Sequence, residues 1–212
     1  MTEILRRSPI SFKGRPAHSE QRDGWKVVFE YEEEGKGPYL IDLSHSAKWD
    51  LQDTDLTQFQ PWGVTIPQTP GQCVFQNNIL INRMNRTQAA CWHLCETSPP
   101  VPGESAYTET TDATMLLALM GKEVFSIIEK ISALDFISPE QKTPFLLQGP
   151  ILHVPCQIVC LEKSDEHIVV LFTCSRGYGE SMVEGILKAG EEFGLCPAGE
   201  TAITNWLNEF SG

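Results

Sequence analysis

Asp42-Leu43-Ser44-His45 brings a carboxylate, a hydroxyl and an imidazole within four positions. A serine beside a histidine suggests a nucleophile and its base. Adjacent strand residues point to opposite faces, however. Asp42, Ser44 and His45 are therefore expected to fix a turn through local hydrogen bonds. Further on, Asn77-Asn78 precedes the apolar run Ile79-Leu80-Ile81 and then Arg83. An amide donates and accepts hydrogen bonds but takes no proton near neutral pH. Arg83 can hold a carboxylate, or it can be an ordinary surface strand arginine. Glu180, in Arg176-Gly177-Tyr178-Gly179-Glu180, is a carboxylate that can accept two hydrogen bonds. It also suits a solvated helix start, where the macrodipole favours a negative charge.

The seven cysteines include two pairs spaced four apart, Cys91 with Cys95 and Cys156 with Cys160. Zinc sites favour a two-residue gap and a second matching pair. A strand puts i and i+4 on one face, so both pairs read as buried thiols and no metal site is assigned. Reduced thiols suit a cytoplasmic protein. Trp49, Trp92 and Phe75 read as core, while Trp62, in a Pro/Gly loop, fits either core or a stacking platform. His93 alternates with apolar neighbours and reads as a satisfied, half-buried residue.

The elements that must position these groups follow from periodicity. Residues 1–24 read as a polar, extended lead-in. Strands are expected at Trp25–Tyr31, Tyr39–Leu43, Ala47–Leu51, Val74-Phe75, Ile79–Met84 and Ala89–Leu94. Gln76-Asn77-Asn78 is a turn, since Asn tolerates positive φ. Asp53–Phe59 suits a short helix, and residues 60–72 a loop. Thr97–Glu104, with three prolines and a glycine, is the best boundary in the chain. Beyond it come a strand at Ala113–Met120, a helix at Lys122–Leu134, a loop at 138–150 and strands at Val154–Leu161 and Ile168–Thr173. A helix at Ser181–Phe193 and a closing helix at 201–210 complete the chain. The pattern indicates an α+β fold with antiparallel or mixed sheets. A recurring strand-turn-helix unit suggests two similar subdomains, residues 1–104 and 105–212.

An apolar fraction of 41% supports an ordinary core. The net charge of −12 argues against a nucleic-acid surface, since Arg6-Arg7 with Lys13 and Arg15 is the only basic cluster. A few arginines still suffice locally for a small anion. Residues 1–12 lack the apolar core of a signal peptide, and no apolar run reaches the roughly 20 residues a membrane span needs.

Leu40-Ile41-Asp42-Leu43-Ser44-His45 resembles the Asp-Val-Ser-His motif of the aminomethyltransferase family, the T-protein of the glycine cleavage system. Pro70-Gly71 through Asn77-Asn78 to Arg83 is similar to the family's Gly-Gly-x-x-Asp-Asp strand. Leu119-Met120-Gly121-Lys122-Glu123 looks like its strand ending in Gly-Pro-x-Ala before a helix. Arg176–Glu180 is similar to its Gly-Tyr-Thr-Gly-Glu turn, one residue shorter, and Lys188–Leu195 to the end of the helix that follows. The resemblance covers roughly residues 25–203. Its motifs are individually weak and gain specificity from their order. In length, and at Leu171–Arg176, the chain is closest to the gamma subunit of heterotetrameric sarcosine oxidase. The Cys and Gln of the related iron–sulfur-cluster repair motif are missing.

The resemblance implies a fold like the family's folate-binding domain, without the C-terminal barrel of the longer enzymes. It also implies a tetrahydrofolate site at Asn78, Arg83, Tyr178 and Glu180. The family's catalytic carboxylate pair appears here as Asn77-Asn78, so no catalytic residue is assigned. Three functions follow. One is a folate-binding module of glycine, sarcosine or methylamine metabolism, partnered by a flavoprotein or other subunits of a demethylating complex; a homo-oligomer is also allowed. Another is a scaffolding protein that has lost the ligand. The third is a transferase that recruits Asp42, Asp112 or a partner's acid.

Overall fold

The computed structural model describes residues 5–94 and 99–210; Cys95 and the first residues of the proline-rich stretch lie outside the described residues. The chain runs β1 (Pro16–Arg22), β2 (Trp25–Tyr31), β3 (Tyr39–Asp42), β4 (Ala47–Gln52), β5 (Cys73–Gln76), β6 (Ile79–Arg83), β7 (Gln88–His93), β8 (Tyr107–Glu109) and β9 (Thr114–Met120). It continues with α1 (Val124–Glu129), β10 (Phe145–Ile151), β11 (Val154–Lys163), β12 (Ile168–Ser175), α2 (Gly179–Gly190), β13 (Cys196–Ala198) and α3 (Glu200–Phe210).

These elements form a mixed α+β fold. A six-stranded sheet has the order β10-β11-β12-β9-β3-β13, a five-stranded sheet the order β5-β6-β7-β4-β8, and β1 and β2 form a separate ribbon. All pairings are antiparallel except β13 beside β3. Strands from both sides of the proline-rich stretch meet in each sheet: β3 pairs with β9, and β8 with β4.

The pleat explains the layering. Met115, Leu117 and Leu119 of β9 turn one way, with Val170 and Phe172 of β12, and pack under α1 and α2. Leu116, Ala118 and Met120 turn the other way, toward Leu80, Trp92 and α3 residues Ile203 and Leu207. A strand buried on both faces must be apolar throughout, and Ala113–Met120 reads that way. The far face of the five-stranded sheet buries Trp49, Leu51, Ile81 and Cys91 under the loop that carries Leu56, Val64 and Ile66. Among the described residues no helix is long and apolar enough to cross a membrane.

Several expectations need correction. Residues 16–22 form a strand. Its exposed side chains lack apolar alternation, and pairing with β2 creates it. The signal that reveals it is Asp23-Gly24, both at positive φ, the two-residue hairpin turn that this dipeptide favours. Residues 145–151 are likewise a strand; Pro150 is tolerated because β10 is the sheet edge. The helix expected at 122–134 is confined to Val124–Glu129. The chain then tightens through Lys130 N–H to Ile127 O and Ile131 N–H to Ile128 O. Asp53–Phe59 holds only a 3-10 turn at Leu56–Gln58.

Leu80 is 0% exposed and bridges the two sheets. Leu80→Ala is expected to cost about 2–5 kcal/mol. Leu5→Ala, at a residue 76% exposed, should change stability by less than about 0.5 kcal/mol in the same urea titration.

Candidate functional site

Asp42, at the end of β3, closes the turn into β4. Its Oδ1 accepts the Ser44 amide at 2.9 Å and its Oδ2 accepts the Ser8 hydroxyl. Ser44, fully buried, uses Oγ to accept the Leu116 amide at 3.2 Å. His45 turns away and meets Glu200 Oε1 through Nε2 at 2.9 Å. Ser44 and His45 thus serve distant partners, and only Asp42 makes the local turn bond expected of all three.

Glu200, the first residue of α3, also takes a two-pronged bond from Arg22 at 2.8 and 2.9 Å. Burial pushes its carboxyl up, but the His45 and Arg22 contacts outweigh burial and hold it below the usual carboxylate range. Gly199 makes this close approach possible: a Cβ there would lie 2.1 Å from the Phe29 carbonyl oxygen. The network ties the β1–β2 ribbon, the β3–β4 turn and α3 together. Sequence reasoning missed Arg22 and Glu200, and a separation of 178 residues leaves no local signal for their pairing.

Lys48 was also missed. On β4 it stands opposite Trp92, on the face between the sheets, and is 1% exposed. Its Nζ donates to the Ser44 carbonyl at 2.8 Å and the Ser46 carbonyl at 3.0 Å. Burial lowers its pKa to about 7, against the pull of Asp42, Asp112 and Glu109. The only sequence hint is a lysine inside an alternating strand, where β4 is expected to be half buried.

The residues expected at a folate site fall in separate places. Asn77 and Asn78 form the β5–β6 turn at φ 52° and 58°, between the paired Gln76 and Ile79. Two left-handed residues make a type I′ hairpin turn, which Asn permits. Arg83, expected on a surface, is 7% exposed. Its Nε donates to Asn85 O at 2.7 Å and its Nη2 to Arg86 O at 2.5 Å, which holds the β6–β7 turn. Tyr178 is 48% exposed just before α2. Glu180 lies in the first turn of α2. The six-stranded sheet stands between α2 and the strands that carry Asn77, Asn78 and Arg83.

Glu180 opens onto a cleft of about 1010 Å3. Phe12, Val183, Leu187 and Leu195 give it apolar walls, and Lys13, Arg15, Glu32, Glu33, Glu180 and Glu184 give it charged ones. Arg15 already pairs with Glu32 at 3.2 Å. Residues 8–12 are held against α2 because Gly179 lacks a Cβ, which would lie 2.3 Å from the Pro9 carbonyl oxygen. Arg176 reinforces this by donating to the Arg7 and Asp112 carbonyls at 2.7 and 2.9 Å. A smaller cleft of about 580 Å3 lies beside α3, with Tyr31, Tyr39 and Trp206 among its walls.

The aromatic expectations hold for Trp49 and Trp92, which are buried, and Phe75, which packs beside the inter-sheet core. Trp62 is half buried, donates Nε1 to the Pro100 carbonyl at 3.3 Å and meets His93 edge to face. His93 departs from expectation. It is 8% exposed, and its Nδ1 has no hydrogen-bond partner among the described residues. Burial accordingly lowers its pKa, favouring the neutral ring.

No family model and no curated protein matches this sequence. Among solved structures, it is similar to a chain of the heterotetrameric sarcosine oxidase from Corynebacterium sp. U-96, solved in complex with pyrrole 2-carboxylate. The TM-score is 0.58 at 14% identity, over 73% of this chain and 84% of that one. At that identity the two share a fold.

Glu200→Ala leaves Arg22 and His45 without their carboxylate and is expected to cost about 3–5 kcal/mol. With the folded-state pKa depressed, Glu200 contributes stability above the usual carboxylate range and loses it as pH falls through the folded value. Acid unfolding of Glu200→Gln should lack that component. Lys48 has the opposite consequence. Its cost is fully present below pH about 7, and stability recovers as pH rises from there toward the unfolded value of 10.5. Urea titrations should therefore show Lys48→Met losing ground to the wild type as pH rises through that window.

Proposed function

We propose that this chain is a folate-binding module of one-carbon metabolism, without a catalytic acid of its own, that works as a subunit of an amine-oxidising or demethylating assembly. The observation that carries the reading is the fold shared with a chain of a heterotetrameric sarcosine oxidase. The order of the aminomethyltransferase-like motifs supports it independently. The finer fold proposed is that of the family's folate-binding domain, in two related halves.

The cleft at α2 suits the pterin end of a folate. A volume of about 1010 Å3 matches the upper range of small-molecule sites. In the proposed pose Glu180 accepts the aminopyrimidine N–H groups, where charge-assisted bonds gain most. Phe12, Val183 and Leu187 exclude water from the ring, while Tyr178 is not among the cleft's walls. Lys13 neutralises a ligand carboxylate, since Arg15 already pairs with Glu32 and Arg83 is held by its own turn. Folate supplies the one-carbon acceptor; the residues here bind and orient it and provide no proton relay.

A second reading, a scaffold that keeps the fold without the ligand, draws on Asn77 and Asn78. Their positive φ values give both a conformational reason to be Asn that needs no ligand.

Isothermal titration with tetrahydrofolate separates the two. Sub-millimolar binding that weakens about 10- to 100-fold in Glu180→Gln is expected from losing charge-assisted bonds. A flat titration at millimolar ligand would sink the folate reading and leave the scaffold. Co-purification of a flavoprotein with the chain from its native cells tests the subunit assignment.

A further inference from the structure

Cys156 of β11 and Cys174 of β12 lie one position beyond the paired residues Gln157 and Thr173, and so face each other across the ladder. Both point to the helix-covered face and belong to the same core cluster. The Cys156 thiol donates to the Val154 carbonyl at 3.2 Å and the Cys174 thiol to the Ser175 carbonyl at 3.5 Å, weak bonds that leave both sulfurs free to turn toward each other. Directly opposed strand residues have Cβ atoms about 4.5–5.5 Å apart, and a disulfide needs about 3.5–4.5 Å, so a small local adjustment closes the gap. The pair sits at the open end of the ladder, flanked by the exposed residues Pro155 and Ser175.

We propose that Cys156 and Cys174 form a peroxide-sensitive dithiol that closes to a reversible disulfide.

The thiolate is the nucleophile, and the geometry treats the two sulfurs alike. The chemistry is the same whichever ionises first; with Cys156 in that role it runs in two steps.

In the first step the Cys156 thiolate attacks one oxygen of hydrogen peroxide. The O–O bond breaks, hydroxide leaves and takes up the thiol's proton as water, and Cys156 becomes a sulfenic acid. In the second step the Cys174 sulfur attacks the sulfur of that sulfenic acid. The S–O bond breaks, and the departing hydroxide takes the Cys174 proton. Two thiols and one peroxide thus give one disulfide and two waters. The product ties together the ends of β11 and β12, just before the chain turns into α2.

Exposure of the reduced, native full chain to a modest excess of hydrogen peroxide, followed by alkylation and peptide mapping, tests this. A peptide pair joined through Cys156 and Cys174, released by dithiothreitol, is expected. The oxidised chain should melt several degrees higher than the reduced one, because the cross-link restricts the unfolded state. In Cys174→Ser, Cys156 should instead proceed to sulfinic acid, with folding checked by circular dichroism. Cys156 and Cys174 both remaining alkylatable, or Cys156 joined to any other thiol, would overturn the proposal from the wild-type map alone.

Discussion

Burial of the six-stranded sheet on both faces is the constraint from which the rest follows. Leu116 to Leu119 of β9 and Val169 to Phe172 of β12 are all 0% exposed. A polar group in such a layer must find a partner, because leaving it unpaired costs about 1–3 kcal/mol. Ser44 meets this need by accepting the Leu116 amide, and Thr173 by donating to the Met115 carbonyl. Lys48, between the sheets, meets it with two turn carbonyls. Pro150 of β10 and Pro197 of β13 cost little because both strands are sheet edges.

The same constraint separates the chemistry. With one face of the central sheet given to α1 and α2 and the other to the five-stranded sheet, side chains on the two outer layers cannot share a ligand. Glu180 therefore joins Lys13 and Arg15 at the α2 surface, while Asn77, Asn78 and Arg83 serve the hairpin turns of the opposite layer. Arg22, His45 and Glu200 do structural work of another kind. The Glu200 carboxylate ties the β1–β2 ribbon to the sheet system by taking two bonds from Arg22 and one contact from His45.

Where side-chain pattern and backbone preference act locally, the fold was legible. The two-sided apolar run of β9, the alternation in β4, the apolar run of β6, the Asn77-Asn78 turn and the closing helix α3 each follow from a few neighbouring residues. Asp42 was legible as a turn residue for the same reason, since its side chain reaches the Ser44 amide two residues along the chain, while the Ser44 and His45 side chains find partners far away. β1 and β10 were not. Their side chains are mixed, and their hydrogen bonds come from β2 and β11, so strand character there is imposed by the neighbour.

The residues expected at a folate site show the division most clearly. Residue type alone establishes that Asn77 and Asn78 cannot act as acid or base, whatever surrounds them, because an amide has no proton to exchange near neutral pH. Which side chains face one another was decided by the packing of the sheets. Glu200 finds Arg22 and His45, Cys156 meets Cys174, and Lys48 is stripped of water only once the layers close. Those contacts join positions far apart in the chain, and their energies depend on burial that exists only in the assembled fold.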